Sequence, residues 1–225
     1  MASTPTRTDE QIKADVVNEL QWDTRVDAAK VQVLVEDGTV TLSGKVPTAS
    51  TRVAAATDAW AVLGVVNVEN EMVVELPPEP PAPSSDTIRS TAEDMLVWNA
   101  DLDASDVSVS FHAGTVTLVG TVPTHWEKDL AEELVGNVRG VLAVNNELAV
   151  VPTHDVLDEV VAENVVGALE RSALVNAGQI DVTVSDGNVT LRGKVPSAAA
   201  RFAAYRAASR TSSVKDVRNE LLVAL

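Results

Sequence analysis

Apolar positions in the first seventy-five residues follow two periods in turn. Ile12, Val16 and Leu20 recur every four residues, which marks one face of a helix. Thr8 followed three residues later by Gln11 predicts a capping box at its start. Val31, Val33 and Val35 then alternate with polar residues up to Asp37-Gly38, a pair suited to the positive φ of a tight hairpin. The return strand turns Val40 and Leu42 inward and Thr39 and Thr41 outward. Pro47 ends it, and the alanine-rich stretch 49–63 predicts a second helix stopped by Gly64. A last strand is expected over 66–75. Helix, strand, strand, helix, strand is an order in which two helices cover one face of a three-stranded mixed sheet, an α+β layer arrangement.

This pattern occurs three times. GTVTLSGKVPT at 38–48 returns as GTVTLVGTVPT at 114–124 and as GNVTLRGKVPS at 187–197. Ile12, Ile88 and Val161 correspond, as do Leu20, Leu96 and Leu169, and as do Asn70, Asn146 and Asn219, each followed by glutamate. No copy needs an internal insertion, so the chain reads as three tandem αββαβ modules at 8–76, 84–151 and 154–225. The linker 77–83 is rich in proline and expected to be extended and semi-rigid. The linker 152–153 is so short that modules 2 and 3 are expected to sit closer together than modules 1 and 2. A module of about 65 residues buries little of its surface, so inter-module contacts are expected to add stability.

Composition narrows the function. The chain of 225 residues has no cysteine, which excludes disulfides, thiolate metal sites and a cysteine nucleophile. His112, His125 and His154 share no ligand-like spacing. A net charge of -16 argues against unspecific nucleic-acid binding. The longest apolar run, 60–66, is far short of the roughly 20 residues of a transmembrane helix. The polar N-terminus MASTPTRTDEQ has no signal-peptide apolar region, so a cytoplasmic location is expected. The acidic stretch 99–106 lacks the glycine and glutamate of a calcium loop in either register and reads as a solvated turn. The GxVxLxG segments lack the Lys-Ser/Thr ending of a phosphate loop. No Ser-His-Asp set repeats, so no catalytic, cofactor or metal site is expected.

The charge is uneven. Residues 1–76 carry 6 basic and 12 acidic side chains, 77–152 carry 3 and 12, and 153–225 carry 8 and 9. Module 3 is therefore the expected anion binder. On the second helix, the columns that stay apolar in all copies define the core face, and Val53 and Trp60 point away from it. In module 3 the outward columns hold Phe202 and Tyr205, flanked by Arg201 and Arg206, which suits either burial against a neighbouring module or a phospholipid or protein surface. Trp22 and Trp98 occupy one column just past the first helix; a semi-buried packing role is expected there, with ligand binding as the alternative.

The repeated string with Gly38, Val40, Leu42, Gly44 and Val46, then Ala55, Ala59, Gly64, Val65, Val68 and Asn70, resembles the BON domain, in register three times over. Ser213 stands where the other copies have Gly64 and Gly140, which leaves the cap geometry open at that point alone. The resemblance implies a bacterial, non-enzymatic, transport-associated protein of osmotic or envelope stress that binds phospholipid. Many members of that family are periplasmic. A chaperone-like array binding other proteins is the alternative, and cation sensing, on the analogy of a potassium-sensing relative, a weaker one.

Overall fold

The computed structural model describes residues 7–76, 81–153 and 156–223. Residues 77–80 of the proline-rich linker, His154 and the last two residues of module 3 lie outside that range. Module 1 comprises α1 (Asp9–Trp22), β1 (Val31–Glu36), β2 (Thr39–Val46), α2 (Ala49–Ala61), β3 (Asn67–Asn70) and β4 (Val73–Val74). Module 2 comprises α3 (Ser85–Val97), β5 (Val107–His112), β6 (Thr115–Val122), α4 (His125–Gly136) and β7 (Ala143–Val150). Module 3 comprises α5 (Asp158–Glu170), β8 (Ile180–Ser185), β9 (Asn188–Val195), α6 (Ala198–Ser209) and β10 (Asp216–Val223). In each, the middle strand pairs antiparallel with its hairpin mate and parallel with the last strand, the second helix making the crossover between the parallel pair. The three units are α+β modules.

Local chemistry accounts for the element ends. Thr8 accepts a hydrogen bond from the Gln11 N–H while the Gln11 side chain accepts one from the Thr8 N–H, the expected capping box. The second helices start alike, because Thr48, Thr124 and Ser197 after the repeated Val-Pro each accept from a backbone N–H three residues on. Helix α2 ends at Ala61, two residues before the expected stop, and Gly64 follows in the turn with φ +96. A Cβ on Gly64 would meet Ile12 Cδ1 at 3.0 Å, and one on Gly140 would meet Ile88 Cδ1 at 2.4 Å. Ser213 takes the same left-handed conformation, φ 66, and the residue equivalent to those isoleucines is Val161, which has no δ carbon. The final strand of module 1, expected as one piece over 66–75, is broken at Glu71-Met72. Its course is kept, since Glu71 and Glu75 still donate to the Leu42 and Val46 carbonyls at 2.8 and 2.9 Å.

Each module has its own core. Val16, Leu20, Val40, Leu42, Ala55 and Ala59 lead the first, with their equivalents in the second and third. Burying one such leucine contributes about 1.5–3 kcal/mol. The predicted core face of the second helices is met at Ala54, Ala55, Ala59 and Val62, all buried.

The modules also touch one another, through their second helices. Helix α2 packs against both α4 and α6. The N-terminus of α2 meets the C-terminus of α4, where Ser50 hydrogen-bonds Asn137 and Gly136 lies against Ala49. The N-terminus of α4 meets the C-terminus of α6 in the same way, with Trp126 and Arg210 lining one cleft in the columns of Ser50 and Asn137. With α2 packed against α6 as well, each module touches the other two. The longer linker thus does not hold module 1 apart, contrary to the expectation from linker length. Each pair of modules makes a junction, whatever the length of the linker between them.

Candidate functional site

The outward residues of the second helices meet different fates. Tyr205 sits in the junction of modules 2 and 3, its hydroxyl 3.1 Å from His125 Nε2 and its ring edge-on to the imidazole at 6.3 Å. The other imidazole nitrogen, His125 Nδ1, lies 3.2 Å from the Lys215 carbonyl. Burial, and then the charges of Asp129, Asp216 and Glu132, push the Tyr205 phenol up to about 12. Phe202 is half-buried, with the Arg206 guanidinium over its ring at 5.9 Å, and Arg201 reaches the Asn219 carbonyl at 3.5 Å. Trp60 lies against its own module's core, so of the module 1 pair Val53 alone stays open to solvent. The anticipated cluster around Phe202 and Tyr205 is therefore divided, with one aromatic facing inward to a neighbour.

The large open side chains lie elsewhere. Trp22 is 83% exposed and Trp98 80%, which corrects the semi-buried packing expected of them. The reason is angular. The buried stripes of α1 and α3 end at Leu20 and Leu96, and two residues further on a helix has turned about 200°. Val97 beside Trp98 is also exposed, as is Leu174 in module 3, where the tryptophan column holds exposed Arg171. Trp22, Trp98 and Arg171 thus occupy equivalent, exposed positions of the three modules.

Beside Trp22 is a carboxyl pair without counterpart in the other modules. Asp23 is held at about 2, first by hydrogen bonds from the Arg25 side chain, at 2.6–3.0 Å. Asp58, facing it from α2, is pushed up to about 6, first by burial and then by the Asp23 charge. In module 2, Asp103 accepts from the Ser105 hydroxyl and N–H, which lowers its pKa, and Asn99 accepts from the Asp101 N–H, so the acidic stretch 99–106 satisfies itself as turns. Among the described residues no cluster of three histidines or carboxylates is arranged to hold a metal, and no helix is long and apolar enough to cross a membrane.

A family model described as BON domain matches residues 8–75, 84–152 and 157–224. No curated protein matches. Among solved structures, the C-terminal domain of CdsD, the structural protein of the type III secretion system of Chlamydia trachomatis, is 14% identical with a TM-score of 0.27. That alignment covers 97% of this chain and 100% of the other. A second CdsD structure from the same organism is 15% identical with a TM-score of 0.26, covering 95% and 92%.

Proposed function

This chain belongs to the BON domain family, in three tandem copies, and from that premise we propose that it is a non-enzymatic docking protein of osmotic or envelope stress which lays Trp22 and Trp98 on a phospholipid surface. The family is one of non-catalytic binding domains. The observation that carries the reading is the exposure of two tryptophans at equivalent positions of modules 1 and 2, since indoles settle at the bilayer interface. The same observation moves the docking site from module 3 to modules 1 and 2, which are the acidic ones. Docking is then driven by apolar insertion and opposed by lipid charge. The expected result is flotation with zwitterionic vesicles, weaker flotation with anionic ones, and recovery on the anionic ones as salt is raised. Trp22→Ala with Trp98→Ala should reduce partitioning about tenfold or more without lowering stability, both side chains being open to solvent. Equal flotation of the double variant would sink the proposal.

The charge of -16 favours a second reading, a soluble array that binds other proteins, because exposed tryptophans are also common anchors of protein interfaces. It is the reading to take up if the chain floats with no vesicle yet keeps an unfolding client protein in solution. A cytoplasmic location is part of the proposal and is tested by cell fractionation.

A further inference from the structure

The two head-to-tail junctions are equivalent in place and different in chemistry. Between modules 1 and 2, Ser50 and Asn137 close the junction with a side-chain hydrogen bond. Between modules 2 and 3 the same columns hold Trp126 and Arg210, and the junction stays open as a cleft of about 410 Å³ lined by Thr124, Trp126, Arg210, Thr211 and Ser212. We propose that this cleft binds a small phosphomonoester carrying an apolar group.

The lining residues divide the work. Arg210 follows the last turn of α6 with its side chain exposed, and its guanidinium can offer paired N–H groups to two phosphate oxygens. Ser212, also exposed, adds a hydroxyl donor. The other two hydroxyls are committed, Thr211 donating to the Ala207 carbonyl at 2.9 Å and Thr124 to Glu127 Oε1 at 3.0 Å. Trp126 is half-buried and gives the apolar wall for the organic part. An anion is least opposed on the module 3 side, where 8 basic residues face 9 acidic ones. Asp129, one turn beyond Trp126, acts electrostatically on Arg210 and competes with the ligand for it. The cleft is thus tuned by two residues of opposite effect.

Phenyl phosphate titrated into the full chain, read by the Trp126 indole N–H signal in NMR, tests this. A saturable shift is expected, with inorganic phosphate and phenol each binding more weakly than the joined molecule. Arg210→Ala should weaken binding about tenfold or more, while Asp129→Asn should tighten it. A general loss of structure would move both variants the same way, so the opposite signs are diagnostic. The Trp22 and Trp98 signals should stay still, which separates this cleft from the vesicle-docking face. No saturation up to about 10 mM, an affinity weaker than about 3 kcal/mol, would overturn the proposal, as would equal affinity in Arg210→Ala.

Discussion

Asp58 sits on the second helix of module 1 where module 2 has Leu134 and module 3 has Ala207. Its carboxyl is pushed up to about 6 by burial and by Asp23, with Glu19 adding to the effect and Arg25 opposing it. Arg25 in turn feels Glu133 of module 2. The unfolded chain loses the Asp58 proton near 3.8, whereas the folded chain keeps it to about 6, so this group costs stability as pH rises from about 4 to about 6. Asp23 acts at the other end, its contribution being lost as pH falls from about 4 toward about 2. Asp58→Asn should raise stability at pH 7 by about 1 kcal/mol, after discounting for the solvent on the open side of the site. It should also flatten the stability profile between pH 4 and 6. Chemical denaturation across that range measures both, and an unchanged slope would show that Asp58 does not titrate there.

At the scale of elements, the Asn-Glu repeat joins each last strand to the helix that precedes it. Asn70, Asn146 and Asn219 donate to the carbonyls of Arg52, Lys128 and Arg201 at 2.8, 2.8 and 3.0 Å. Each also accepts from a backbone N–H two residues on, at 3.2–3.3 Å. One side chain thus fixes the crossover helix against the strand it feeds, which is why the asparagine recurs in all three copies. Asn146→Ala should cost about 1–3 kcal/mol by leaving the Lys128 carbonyl and the Leu148 N–H without that partner. Hydrogen exchange at Leu148 should rise in the variant, and unchanged protection there would count against the role. The sequence displayed the repeated asparagine but gave no sign of its partner, because a bond spanning eighteen residues depends on how helix and strand are folded together.

For the whole molecule, the junction of modules 2 and 3 hangs on one imidazole. His125 is buried and holds Tyr205 and the Lys215 carbonyl, both in module 3. The equivalent residue in module 1 is Ala49, so His125→Ala writes one junction's chemistry into another. Two polar groups in the junction then lose a partner, at a cost of about 2–4 kcal/mol. Module 3 should unfold ahead of the other two, splitting a single calorimetric transition in two. A single unshifted transition would mean that the modules are not coupled through this contact.

The sequence by itself determined the three copies, the order of elements within each, the core columns and the capping residues. These follow from periodicity and spacing, which act over a few turns of chain and survive in any arrangement of the modules. The exposure of Trp22 and Trp98 was also legible, since each lies about 200° round the helix from the last buried leucine, but the angle has to be taken from that leucine and not from the helix end. What the tertiary structure alone decided is the use made of the outward residues. Tyr205 became a junction residue, Trp60 lay back on its own core, and Trp126 with Arg210 framed a cleft that no local pattern marks. An outward side chain has no partner within its own module, so its role is set by where rigid neighbours come to rest.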